Sequence, residues 1–327
     1  MMFGKKDSKK FVKIFFATDI HGSDICFRKF LNAAAYYKVD ALVLGGDLTG
    51  KMIVPIVEKS DGKFETNFLG NAITVDNSDG AKKLEEKIRN TGFYPYMTNS
   101  SEMKELQSDK SKVDDLFQKV MLETLERWLG FAEEILKHQG KKIYITGGND
   151  DPFSIEPVLN KSNYVVNPEG KIVDIDEFQM ISSGYSNMTP WKCPRDVEDT
   201  VLSEKIESMV SKLDNFENVI FNFHAPPINS ELDTCPMLDA RTYPPKPLID
   251  SGGVRMYGAG SKAVRDAIEK HQPLLGLHGH IHESRGVIKI GKTTCVNPGS
   301  EYGEGILRGT IIVLAKGKVL NYQMTSG

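Results

Sequence analysis

Phe11-Val-Lys-Ile-Phe-Phe-Ala17 is a short apolar run that ends two residues before Asp19, and Asp40-Ala-Leu-Val-Leu-Gly-Gly-Asp47 is a second that closes on a carboxylate. Between them, Ser23 to Lys38 sets Ile25, Phe27, Phe30, Leu31 and Ala34 at helical spacing. Strand, helix and fully apolar strand in that order predict a βαβ unit whose parallel strands are buried on both faces. Ligands of open α/β sheets bind beyond the carboxyl ends of the strands, so Asp19, His21 and Asp47 are expected to meet there.

Downstream, the same design recurs. Lys142 to Thr146 stops at Gly147-Gly-Asn149-Asp150, Val219 to Phe223 stops at His224, and Leu274 to Leu277 leads into His278-Gly-His280-Ile-His282. Short strands are expected at Tyr164 to Val166, Ile172 to Ile175 and Met180 to Ser183, helices at Thr200 to Leu213 and Ser261 to His271, and β structure from Gly286 to Met324. The segment from Ala225 to Pro247 is proline-rich and reads as a long loop carrying Arg241, Tyr243 and Lys246.

From Asp47 to Asn149 the chain runs roughly a hundred residues, far more than one crossover helix and its loops require. The excess, 51–140, is read as an inserted hairpin plus helices within one domain spanning 1–327. Met52 to Glu58 and Phe64 to Leu69 flank the turn Ser60-Asp61-Gly62, a helix runs from Ser78 or Asp79 to about Arg89, and a longer one from Ser100 or Ser101 to about His138. Such an insertion serves either as a cap over the cleft or as an oligomer contact.

The 327 residues are 40% hydrophobic and 26% charged, which excludes a disordered or collagenous chain. With 41 Lys and Arg against 44 Asp and Glu, the net charge of −3 gives no global attraction to nucleic acid or anionic membrane. Cys26, Cys193, Cys235 and Cys295 form no CxxC pair, so neither a zinc knuckle nor a disulfide framework is signalled. The lysine-rich start reads as a frayed basic tail before the first strand. No apolar run is long enough to span a bilayer, and a cytoplasmic protein is the expectation.

Asp, Asn and His are donors for borderline first-row cations rather than thiophilic ones. In an extended chain Asp19 and His21, and again His280 and His282, point to the same side, so each pair is expected to converge on one ion. Seven donors exceed what one tetrahedral ion takes and suffice for two if a carboxylate bridges them.

In this order, Asp19-Ile-His21, Gly46-Asp47, Gly148-Asn149-Asp150-Asp151, His224 and Gly279-His280-Ile-His282 resemble the motifs of the calcineurin-like metallophosphoesterase superfamily, and the likeness continues through Val296-Asn-Pro-Gly-Ser300. The resemblance implies a four-layer α/β/β/α sandwich. It also implies two divalent ions (manganese, iron, zinc or similar), with Asp19, His21 and His282 on the first, Asn149, His224 and His280 on the second, and Asp47 between them. The implied activity is phosphoester hydrolysis by in-line attack of a metal-bridging hydroxide on a small, nucleotide-like ester.

One position departs from the pattern: Asp150 stands where the family usually has the histidine assigned to the leaving group. An ionised carboxylate there repels a phosphate by roughly 4 kcal/mol at 4 Å and an effective dielectric of 20. Asp150 is therefore expected to be protonated, turned away or tied to a partner, and a phosphodiesterase is favoured over a monoesterase. A scaffold that kept the fold and lost activity, and a nuclease, are the competing readings. His278 is assigned to sheet packing, and His138 and His271 to helix C-termini.

Overall fold

The computed structural model describes residues 11–239, 241–242 and 244–327; the basic tail expected before Phe11, and Tyr243, lie outside the described residues. Two sheets face each other. In the first, Val12–Ala17, Ala41–Leu44 and Lys142–Ile145 run parallel, and Arg308–Ala315 and Lys318–Ser326 add antiparallel strands beyond Val12–Ala17. In the second, Val219–Phe223 pairs in parallel with Phe178–Ser183 on one side and Leu275–Leu277 on the other. Thr293–Asn297 continues that sheet in parallel, and the antiparallel Gly286–Ile290 and Ile172–Ile175 form its edges.

Alternation along each strand sorts the side chains into layers. Val12, Ile14, Phe16, Ala41, Val43 and Tyr144 point inward and pack against Met180, Ile220, Leu275, Leu277 and Val296 of the opposite sheet. Phe15, Ala17, Leu42, Leu44, Ile143 and Ile145 point outward onto Phe27, Phe30 and Leu31 of the helix Asp24–Tyr36 and onto Trp128, Ala132 and Leu136 of the helix Lys110–Leu136. Phe221, Phe223 and Ile181 cover the outer face of the second sheet with the helices Asp199–Val210 and Lys262–His271. The result is the α/β/β/α sandwich expected from the sequence.

Within 51–140 the hairpin and helices are present, and two further strands join them. Asn71–Val75 and Tyr94–Asn99 complete a four-stranded sheet with Ile53–Glu58 and Phe64–Phe68, and Val54, Ile56, Phe64 and Phe68 pack on Ala81, Leu84 and Ile88 of the helix Ser78–Asn90. The expected long helix breaks at Asp109, whose extended backbone and side chain cap the helix Lys110–Leu136 after the shorter Ser100–Ser108.

The insertion thus divides between a small layer of its own and a helix that belongs to the sandwich. The anchor of that helix is Asp24, 6% exposed, which accepts two hydrogen bonds from Arg127 at 2.8 Å and one from the Trp128 indole at 2.6 Å. Trp128 itself stacks on Phe27 at 4.4 Å between ring centres.

Elsewhere, Tyr164 to Val166 is no strand: Val166 makes a single bridge to Tyr144, because Pro168 follows at once and has no N–H to extend the ladder. The loop after His224 is ordered into short paired segments, among them Thr234–Pro236 with Met256–Gly258 and Ile249–Asp250 with Gly253–Val254. Among the described residues no helix is long and apolar enough to cross a membrane.

Candidate metal centre

Each predicted donor sits just beyond the carboxyl end of a strand, and the chain turns sharply to place it. Asp19, His21, Asp47 and His280 all have left-handed backbones, with φ of 53°, 38°, 50° and 67°. For residues with a Cβ this costs about 1–3 kcal/mol each and survives only where the surroundings enforce it. Here Asp19 N–H donates to Gly46 O at 2.9 Å, His21 N–H to Asp47 O at 3.0 Å, and His280 N–H to both Asp19 carboxylate oxygens at 3.1 Å.

These turns correct the spacing argument. Asp19 and His21 do converge, through a left-handed turn rather than an extended chain, whereas His280 and His282 part. His282 joins Asp19, His21 and Asp47, and His280 joins Asp47 and His224, each group having donor atoms within 4.8 Å of one another.

Asp47 belongs to both groups, and its two oxygens divide between them. Oδ2 lies 3.5 Å from His21 Nε2, and Oδ1 lies 3.3 Å from His224 Nε2. On the first side His282 Nε2 is 3.4 Å from Asp19 Oδ1 and 3.2 Å from His21 Nε2. Two imidazole nitrogens and two carboxylates turned toward one point form a set suited to a divalent cation.

Asn149 and His224 carry the same signature. Asn149 donates from Nδ2 to Asp196 at 2.8 Å, and its Oδ1 is buried without a partner. The carbonyl of Gly45, 2.9 Å from His224 Nδ1, can only accept, so Nδ1 carries a proton, which leaves Nε2, again buried and unpartnered, as the nitrogen turned toward Asp47.

The charges agree with this arrangement. Burial opposes ionisation of Asp47, yet His224 and His21 hold its carboxyl well below the usual range. Burial likewise works against a charge on His224, but Asp47 and Asp19 push it up to about 10. The two carboxylates thus draw positive charge to this spot. Burial brings His21 and His280 down to about 4, leaving both neutral and free to donate a lone pair.

Asp150 resolves into one of its three alternatives: it is tied to a partner. Its Oδ2 sits 2.9 Å from Lys51 Nζ and 3.8 Å from His21 Nδ1, and its backbone N–H donates to Asp47 Oδ1 at 3.0 Å. His278 is locked by the carbonyls of Phe223 and Ala225 at 2.9 and 3.1 Å and joins neither donor group. Arg241 is exposed and paired in two-pronged fashion with Asp239, and Lys246 is exposed as well.

Supporting residues escaped the sequence reading. Asp151, buried, accepts from the N–H groups of Leu48, Thr49 and Gly148 and from the Thr49 hydroxyl at 2.7–2.9 Å, and so ties the Asp47 turn to the Asn149 turn. Asp196 holds the Asn149 amide and is itself held by Thr189 and Cys193. Ser300 donates to Asp19 O at 2.6 Å, and the Tyr302 ring lies 4.7 Å from that of His21. Of these, Asp151 and Ser300 stood inside quoted motifs; Asp196 had no signal. Replacing Asp196 by alanine frees the Asn149 amide to rotate, so manganese affinity should fall about 10–100-fold, measured by titration calorimetry, with the fold intact by circular dichroism.

The insertion reaches this centre through glycines. Gly92, at φ +88°, lies so close that a Cβ would come within 2.3 Å of His21 O, and one on Gly50 would come within 2.2 Å of Gly92 O. Only glycine lets these three backbones meet.

No model of a protein family matches the chain. It is 30% identical over 159 residues to an uncharacterized protein of Methanocaldococcus jannaschii, a match covering 48% of this chain and 63% of that protein, less than two thirds of its length. One solved structure, 17% identical, superposes with a TM-score of 0.56 over 96% of this chain and 98% of the other. A Thermus thermophilus protein, 12% identical, does so at 0.51 over 97% and 98%. An archaeal phosphodiesterase, 13% identical, gives a TM-score of 0.39 over 97% and 100%. In its fold, and in the order and placement of five donor motifs at the strand ends, the chain resembles the calcineurin-like metallophosphoesterase superfamily.

Proposed function

We propose that the protein is a metal-dependent phosphoester hydrolase with two divalent ions, and that it prefers diesters. The observation that carries this reading is the division of the Asp47 carboxylate, one oxygen toward His21 and the other toward His224. Asp19, His21 and His282 would hold one ion, Asn149, His224 and His280 the other, and Asp47 both. A pair of ions so held supplies a deprotonated water and positive charge for the phosphoryl oxygens. The protein's own part is to fix these donors, through left-handed turns and through the bonds from Gly45, Asp196 and Asp151, so that nothing needs to reorganise as charge develops on phosphorus.

The diester preference rests on the departure at Asp150, which stands where the related motif carries the histidine assigned to the leaving group. Asp150 is 28% exposed against 1% for His21 and is paired with Lys51 at 2.9 Å, so this position offers no imidazole to a departing group. A small, nucleotide-like diester is the proposed substrate. Four thiols free of disulfide bonds fit a reducing, cytoplasmic setting.

The test compares bis(4-nitrophenyl) phosphate with 4-nitrophenyl phosphate in the presence of manganese, iron or zinc. Expected are a kcat/KM at least about tenfold higher for the diester, loss of both activities with a chelator, and recovery on adding manganese. Equal rates on the two esters remove the diester preference. A protein that binds metal and hydrolyses neither is the scaffold.

A further inference from the structure

Seen from solvent, the metal centre has an exposed edge and a buried floor. Asp19, His21, Asp47, Asn149 and His224 are nearly inaccessible, whereas Asp150 and the His282 ring are 28% and 30% exposed, and His280 is partly so. An ester entering the site passes this edge. The cation that the structure places against it is Lys51, whose Nζ lies 2.9 Å from Asp150 Oδ2.

Lys51 is no casual surface lysine. It is the first residue past Gly50, whose backbone N–H donates to the Tyr94 hydroxyl at 2.7 Å and whose Cα side is closed by Gly92 O. The root of the side chain is thereby fixed to the same glycine contact that supports His21. Burial works against its charge, but Asp150, and behind it Asp47, hold the ammonium's pKa above the ordinary lysine value. Just over half of the side chain remains exposed, so Nζ bonds Asp150 on one side and keeps N–H donors for water or a ligand on the other.

A carboxylate alone at this edge would repel every phosphate ester. Paired with an ammonium it becomes a holder for a cation. We propose that the Lys51 ammonium, positioned by Asp150, is the group that meets a bound phosphoester at its departing oxygen. The inference rests on the phosphoesterase reading above and adds to it a contact outside the seven donors.

As the P–O bond to the departing alcohol breaks and the P–O bond to the water oxygen forms, the departing oxygen carries off the electron pair of the broken bond. It takes a proton from the ammonium. The amine, open to solvent, regains a proton of the kind the attacking water has released, so that each turnover consumes one water and restores Lys51. A methyl-terminated side chain at 51 cannot donate, and it leaves Asp150 unpaired at the edge.

Lys51→Met and Lys51→Arg test this in two ways. With manganese bound, inorganic phosphate should bind Lys51→Met at least tenfold more weakly than the wild type by calorimetry, with Lys51→Arg recovering part of the loss and metal content by elemental analysis the same in all three. In turnover, Lys51→Met should lose 30-fold or more on a phenyl diester and less than fivefold on the matching 4-nitrophenyl diester, whose departing oxygen needs little help. Equal losses on the two esters, a Lys51→Met protein that binds phosphate like the wild type, or a wild type that binds none, would each overturn the proposal. A wild type that hydrolyses no diester yet binds phosphate through Lys51 sinks the phosphodiesterase reading and keeps the anion contact.

Discussion

Replacing Asp47 by asparagine should lower kcat/KM on a chromogenic phosphodiester by about a thousandfold or more and reduce bound manganese from two ions to at most one. The physical reason is that, among the described residues, Asp47 is the member shared by both donor groups, through Oδ2 at 3.5 Å from His21 and Oδ1 at 3.3 Å from His224. An amide keeps the shape, but it presents one oxygen instead of two and no charge. On the two-ion proposal one cation then loses a ligand, and the attraction that holds two like-charged ions in one site is weakened.

A metal pair supplies several kcal/mol of transition-state stabilisation, and about 4 kcal/mol is three decades in rate. Asparagine serves better here than alanine. Asp47 Oδ1 also accepts the Asp150 N–H at 3.0 Å, and the asparagine oxygen can keep that bond, so the turn stays in place. Elemental analysis and steady-state kinetics are the measurements. Full metal content with undiminished turnover would remove Asp47 from the bridging position and with it the two-ion mechanism.

How far the sequence led differs between layers. The parallel βαβ start was legible because its strands are short apolar runs, such as Val12, Ile14 and Phe16 against Phe15 and Ala17, and the four layers were expected only because five such runs end in donors that resemble a known family's motifs. What happens after the strand was not legible. Spacing suggested extended Asp-x-His and His-x-His pairs, but the carboxyl end of a strand at a site is where the chain leaves extended geometry, and the left-handed turns at Asp19, His21 and His280 set the partition between the two groups.

Inside the insertion, Asn71–Val75 and Tyr94–Asn99 escaped notice because both lie on sheet edges. Their exposed or half-buried positions carry Asn71, Ala72 and Thr74 in one strand and Pro95 and Asn99 in the other, a poor match to the apolar alternation of a buried strand. Lys51 was invisible for another reason. Its partner Asp150 lies on the far side of the whole insertion, and the two ends are brought together by the pairing of Ala41–Leu44 with Lys142–Ile145 and by Asp151, which accepts from Leu48 and Thr49.

Asp151 shows how a residue can matter to the centre without touching an ion, and its removal should be the most destabilising single change near the site. Its carboxylate is fully buried and accepts four hydrogen bonds, from Leu48, Thr49 and Gly148 backbone N–H groups and from the Thr49 hydroxyl. Burial, and after it the nearby Asp47 charge, push its pKa up to about 6, while the donors of Gly148, Leu48 and Thr49 pull the other way. At neutral pH the charged form therefore persists because these donors meet it.

Alanine at this position takes the acceptor away from three backbone N–H groups and a hydroxyl. At roughly 1 kcal/mol for each lost bond the cost is about 4 kcal/mol, or a fall in Tm of roughly 6 °C for a chain of this size. Asparagine, with one acceptor oxygen and an NH2 that must face a donor, should lose about half as much. Because Asp151 joins the turn that carries Asp47 to the turn that carries Asn149, the loss should appear in chelated protein, where no ion is present to hold the turns together. Thermal unfolding followed by circular dichroism in chelator reads it directly. An alanine variant that melts with the wild type would mean that the two turns are fixed by the sheets alone, and that the donors of the first sheet are aligned without this carboxylate.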